Sequence, residues 1–189
     1  NASVDMKYGK LKTKSISYAS ISLKNAELDM QTSQNLILMS SGSTVDIVEV
    51  TLLEITSNKD KIGISTVGEI RGDLSFSEMN LNKLNDEINL TLKVTDLKVS
   101  KIIKPEAFVH IEQESSDIDI NITGLSFKFI ANLEQGVLRI PKSFQNLKTL
   151  MIDNDKKLRE INATYGKNPL GKFTVIGKKG NIVLIDSSL

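Results

Sequence analysis

From Asp117 to Leu133, apolar residues alternate with polar ones along seventeen positions of a single segment. Ile118, Ile120 and Ile122 share one phase; after Gly124, Leu125, Phe127, Phe129, Ala131 and Leu133 share another. Successive side chains of a strand point to opposite faces, so the segment predicts a long β-strand with one apolar and one wet face. Gly124 leaves open whether the two apolar sets face the same side. A chain built of such strands must cover a broad apolar sheet face with another sheet, a helix or an apolar ligand.

The same texture runs through most of the chain. Strand signals span Lys14 to Met30, Val45 to Ile55, Ile62 to Ile70, Leu90 to Val99 and Ala107 to Ile111. They resume in Phe173 to Val175 and Ile182 to Ile185. Polar stretches such as Ser40-Ser-Gly-Ser43 and Ser57-Asn-Lys-Asp-Lys61 read as turns, and Lys178-Lys-Gly-Asn181 reads as a hairpin turn. Ser77 to Ile88 predicts a helix, because Leu81, Leu84 and Ile88 recur at helical spacing behind a capping Ser77. Residues 143–161 fit either a helix capped by Ser143 or strand. No βαβ rhythm and no clean short repeat is legible. The expected fold is all-β and mostly antiparallel: a curved, partly open sheet or a sandwich of about ten strands, with one or two short helices.

Composition narrows the chemistry. Lys and Arg number 24 against 23 Asp and Glu, a balance without the basic stripe of a nucleic-acid binder. With no cysteine, disulfides, thiolate metal sites and a Cys nucleophile are excluded. No apolar run approaches the ~20 residues of a membrane helix. Asn1-Ala2 reads as a remnant of tag removal, and residues 3–189 as a single β-rich domain or a segment of a longer protein.

Catalytic or metal centres find little support. The lone histidine, His110, lies in the solvent phase of its strand, with no nucleophile or orienting carboxylate nearby in sequence. Asp117, Asp119 and Asn121 share a wet face, but Ile122 and Lys128 stand where a calcium loop needs glycine and an acid. Gly166-Lys-Asn-Pro-Leu-Gly-Lys172 lacks the spacing and following helix of a phosphate loop. The reading is a non-enzyme, with no catalytic residue, no metal and no cofactor.

The C-terminal third carries a resemblance. Leu133-Glu-Gln-Gly-Val-Leu-Arg-Ile-Pro141, Leu147-Lys-Thr-Leu150 and Gly171-Lys-Phe-Thr-Val-Ile-Gly177 resemble the repeating phrases of AsmA/TamB-type envelope proteins. Gly136, Leu138, Pro141, Gly171, Phe173 and Gly177 carry the match. The helix expected over Ser77–Ile88 departs from that pattern, and the chain has a weaker resemblance to self-contained LmeA-type phospholipid-binding proteins. The resemblance implies a β-taco whose apolar interior holds phospholipid. It places the protein in the bacterial periplasm, anchored to the inner membrane through segments absent from this chain, with other envelope proteins as partners through edge strands. On that reading Ile118, Ile120, Ile122, Leu125, Phe127 and Phe129 contact acyl chains. The alternative is a structural or protein-interaction β-sandwich with a closed core.

Overall fold

A computed structural model describes residues 1–187. The fold is all-β: eleven strands form one sheet, and the described residues contain no helix. The strands are β1 (Ala2–Ser41), β2 (Thr44–Asn58), β3 (Lys61–Ser75), β4 (Glu78–Lys93), β5 (Asp96–Val99) and β6 (Phe108–Asn121). They continue with β7 (Phe127–Glu134), β8 (Val137–Arg139), β9 (Gln145–Asp153), β10 (Leu158–Tyr165) and β11 (Gly171–Ile185).

Pairing corrects the expected antiparallel sheet. β1 through β6 pair in parallel with their sequence neighbours, and β11 pairs in parallel with β6, β7 and β8. Among the described residues, only β7–β10 and β10–β9 run antiparallel. Alternation reports which face a side chain takes and is blind to strand direction, so the sequence could not separate the two.

Parallel neighbours ordinarily need a crossover of a dozen or more residues. Here Ser41 and Thr44 bracket only Gly42 and Ser43, yet β1 and β2 are parallel partners. The chain returns to its start because each strand is itself a coil. Glu27 lies beside Thr44, Thr44 beside Lys61, and Lys61 beside Glu78, so one coil takes 17 residues. At ~3.3 Å per residue, one circuit is about 55 Å of chain. β1 spans more than one circuit: Lys10 meets Glu27 and Lys12 meets Asp29, both 17 residues on, at 2.9 and 3.7 Å. The sheet is thus a stack of coils whose path among the described residues ends at the first coil of β1 and at strand β9, with β8 paired to β11 alone.

A repeat therefore exists, contrary to the sequence reading. Buried positions of one coil are Ser43, Val45, Ile47, Val50, Leu53, Ile55 and Ser57, and those of the next are Asp60, Ile62, Ile64, Val67, Ile70 and Leu74. Inward steps of two mark straight strand; steps of three mark corners where two residues in a row face out. These corner steps explain the false helix. Leu81, Leu84 and Ile88 are all buried at 0%, three and four residues apart, because β4 bends between them. Residues 143–161, left open between helix and strand by the sequence, fall largely in strands β9 and β10. The expected hairpin at Lys178–Asn181 is a bend within β11, with Lys179 and Gly180 at φ 51° and 101°.

Inside the coils, apolar residues stack in columns. Leu28, Val45, Ile62, Met79, Leu97 and Ile118 lie on consecutive rungs, each at most 2% exposed. One corner is left-handed at every level: Asn25, Gly42, Lys59, Phe76, Val94 and Ser115 all have φ between 49° and 63°. The residue after each turns inward: Ala26 at the first, then the small polar or acidic Ser43, Asp60, Ser77, Thr95 and Ser116. Ala26 N donates to Ser43 Oγ at 3.2 Å, Ser43 N to Asp60 Oδ1 at 2.7 Å, and Asp60 N to Ser77 Oγ at 3.1 Å. Thr95 N donates to Ser116 Oγ at 3.1 Å. The corner amides, turned out of the ladder by the bend, thus find acceptors one coil along.

Candidate functional site at the sheet edges

The six residues expected to touch acyl chains lie in this packed interior. Ile118, Ile120 and Ile122 are 1%, 0% and 0% exposed; Leu125, Phe127 and Phe129 are 5%, 2% and 1%. Gly124, at φ 80°, turns the chain between β6 and β7 so that both apolar sets enter one core.

The outer surface carries shallow depressions. One, about 380 Å³, lies between Ile37, Met39, Glu54, Arg71 and Asp73. A second, about 330 Å³, is lined by Glu78, Asp96, Asp117 and Asp119 on neighbouring rungs. Asp117 there accepts a 2.7 Å hydrogen bond from Asn181 Nδ2. Among the described residues, no group of three or more His, Cys, Asp or Glu is placed to hold a metal ion. His110 stands on the outer face with Nε2 3.4 Å from Glu112 Oε1. The Gly166–Lys172 segment runs into β11, and Gly171 N donates to Ser126 O at 3.0 Å.

The two free edges differ sharply. Near the C-terminal edge, five of the chain's nine aromatic residues gather: Phe127, Phe129, Phe144, Tyr165 and Phe173, with ring centroids 5.2–6.0 Å apart. Phe144 reaches them from the segment between β8 and β9 and, with Leu138 and Ile140, packs against the core. Burial and the neighbouring Asp186 carboxylate push the Tyr165 phenol well above its ordinary value of 10.0. Beyond this plug, β9 overhangs. Leu147, Leu150, Met151 and Ile152 are 51–61% exposed, while Ile161 and Ala163 of the adjoining β10 are buried. In the sequence Leu147, Leu150 and Met151 fit a helix or a strand; the pairing with β10 makes them an exposed strand edge.

At the other end, the first coil leaves Val4, Met6, Leu11 and Ile16 half-buried against the core. Its rim carries Lys7, Lys10, Lys12 and Lys14 with a single acid, Asp5, in the same stretch. Lysines along an edge are a known guard against edge-to-edge pairing. β9 has only Lys148 and Asp153.

No family model, no curated protein and no solved structure matches the chain.

Proposed function

We propose that this chain is a non-catalytic interaction module, a closed-core stack of β-coils that acts through its outer surface and free edges. The supporting observation is the filled interior: the residues best suited to line a lipid groove are at most 5% exposed. Coils that share backbone ladders along their whole length resist bending, so the stack suits a rigid spacer or scaffold. Native mass spectrometry with organic extraction tests this. The expected result is a clean apo mass near 20.9 kDa with no uptake from labelled liposomes. A stoichiometric phospholipid that survives gel filtration overturns it.

A second reading keeps lipid carriage in the bacterial envelope, as the AsmA/TamB resemblance implies, with periplasmic placement and inner-membrane anchoring through other segments. What favours it is the uncovered first coil, whose Val4, Met6, Leu11 and Ile16 offer an apolar rim to an acyl chain. Burial is worth about 0.8 kcal/mol per methylene, enough for reversible binding over a few carbons. Met6→Asp tests this reading without entering the packed core. Lipid co-purification lost in a folded Met6→Asp protein supports carriage at this end, and unchanged lipid content refutes it.

A further inference from the structure

We propose that the gap between β6 and β7 is a strand-binding slot for an extended peptide, and that β11 is its built-in, separable occupant. This goes beyond the reading of the outer surface and edges as interaction sites and does not depend on it. The observation that carries it is an inversion of chain order. β1 to β6 stack in the order of the sequence, and β7 follows β6 after residues 122–126 alone. Yet among the described residues β6 and β7 share no ladder, because β11 lies between them. Neighbouring strands sit about 4.8 Å apart, so residues 122–126 carry the chain across a gap ~9.6 Å wide that a later segment fills.

Both walls of the gap offer backbone to the occupant. β11 pairs in parallel with β6 from Lys172 to Ile185, and with β7 and β8 on its other side. Main-chain bonds of this kind are how a donated strand completes another fold. The 122–126 link holds both ends of the strand: Gly171 N donates to Ser126 O at 3.0 Å, and Ile122 N donates to Ile185 O at 2.8 Å. The slot also selects sequence. A Cβ at Gly171 would lie 2.9 Å from Ser126 O, and one at Gly177 would lie 2.6 Å from Gln113 Nε2 and 2.9 Å from Leu133 Cδ2. One at Gly180, where φ is 101°, would lie 2.3 Å from Ser116 O. Phe173, Val175, Ile182 and Leu184 fill the core side of the slot and are at most 3% exposed. Gln113 fixes the register, its Nε2 donating to Lys179 O at 2.8 Å while its Oε1 accepts Ser116 N at 3.0 Å. Residues 166–170 join β11 to β10, and Gly166, Lys167, Asn168 and Leu170 of that connection are exposed.

The test cuts the full chain and supplies the strand from outside. A protease site inserted between the exposed Lys167 and Asn168 is cleaved in the folded protein. The cut protein should run as one particle in gel filtration, with its circular dichroism unchanged. It is then unfolded in urea and refolded with an equimolar, fluorescein-labelled peptide of residues 168–189. About half of the refolded molecules should carry label, because the two strands compete equally. A peptide with Gly177→Val and Gly180→Val should compete at least ~10-fold less well, since the walls meet its new side chains. A peptide with Ile176→Thr, changed on the exposed face, should compete as the unaltered one does. The proposal is overturned if the cut chain and its fragment part on the column, or fail to regain the native spectrum together. Recovery of that spectrum without uptake of label overturns it too, as does equal uptake of the glycine-substituted peptide.

Discussion

Asp60 offers the most direct test of how the coils are held in register. Its carboxylate is 3% exposed and accepts four hydrogen bonds. Oδ1 takes Ser43 N at 2.7 Å; Oδ2 takes Asn58 N at 3.1 Å and the hydroxyls of Ser40 and Ser57 at 2.6 Å each. In Asp60→Ala the two hydroxyls can re-pair, and Ser57 Oγ already lies 3.0 Å from Ser77 Oγ. The two main-chain amides cannot move without opening the corner. The buried Ser43 amide left unsatisfied costs about 1–3 kcal/mol, and the part-buried Asn58 amide, which water can reach, adds less, so the expected loss is about 2–4 kcal/mol. That is a large fraction of the stability of an ordinary domain. Asp60→Asn behaves differently. Its carbonyl keeps the Ser43 amide, and the Ser hydroxyls reverse to accept from the new NH2. Only Asn58 N meets a donor, so the expected loss is about 1–3 kcal/mol. Urea unfolding followed by circular dichroism, with equal m-values for all three proteins, measures both. Equal losses for the two variants, or a loss below about 1 kcal/mol for Asp60→Ala, would refute the argument that fixed amides and not mere charge set the cost.

Two further outcomes follow from the geometry. A Cβ at Gly72, where φ is 137°, would lie 1.8 Å from Ile55 O on the adjacent coil; Gly72→Ala should cost about 2–5 kcal/mol in the same unfolding assay. Gly136→Ala, whose Cβ would meet nothing nearer than 3.5 Å, should stay close to wild type. The Tyr165 phenol is raised by burial and by Asp186, so the folded protein disfavours its phenolate. Its contribution to stability is therefore complete below pH 10, the ordinary phenol value, and is lost as pH rises above it, because only the unfolded chain ionises readily there. Unfolding free energies measured from neutral pH to pH 11 should fall less steeply at the alkaline end in Tyr165→Phe than in wild type; parallel curves would refute the assignment.

What the sequence alone determined is which strand positions share an apolar face. Alternation marked one apolar set at Ile118–Ile122 and Phe127–Leu133, expected to contact acyl chains, and Ile118, Ile120, Ile122, Phe127, Phe129, Ala131 and Leu133 are all buried. It also excluded disulfides and put His110 on the outside face, because charge, cysteine content and strand phase are local properties. Strand direction, the single stacked sheet and the fate of the apolar face were decided only in three dimensions. A strand that turns a corner inserts an extra outward residue, so Leu81, Leu84 and Ile88 acquire helical spacing inside β4. The 17-residue period was present, but its inward steps are uneven and its columns mix Ser, Asp and Gly with Ile and Leu. It becomes visible once the register of Glu27, Thr44, Lys61 and Glu78 is known. Nor could periodicity tell that the apolar residues of β9 hang in solvent while those of β10 are buried. Both strands carry suitable apolar residues. The difference is that β10 has a neighbour on each side, and β9 is where the sheet stops.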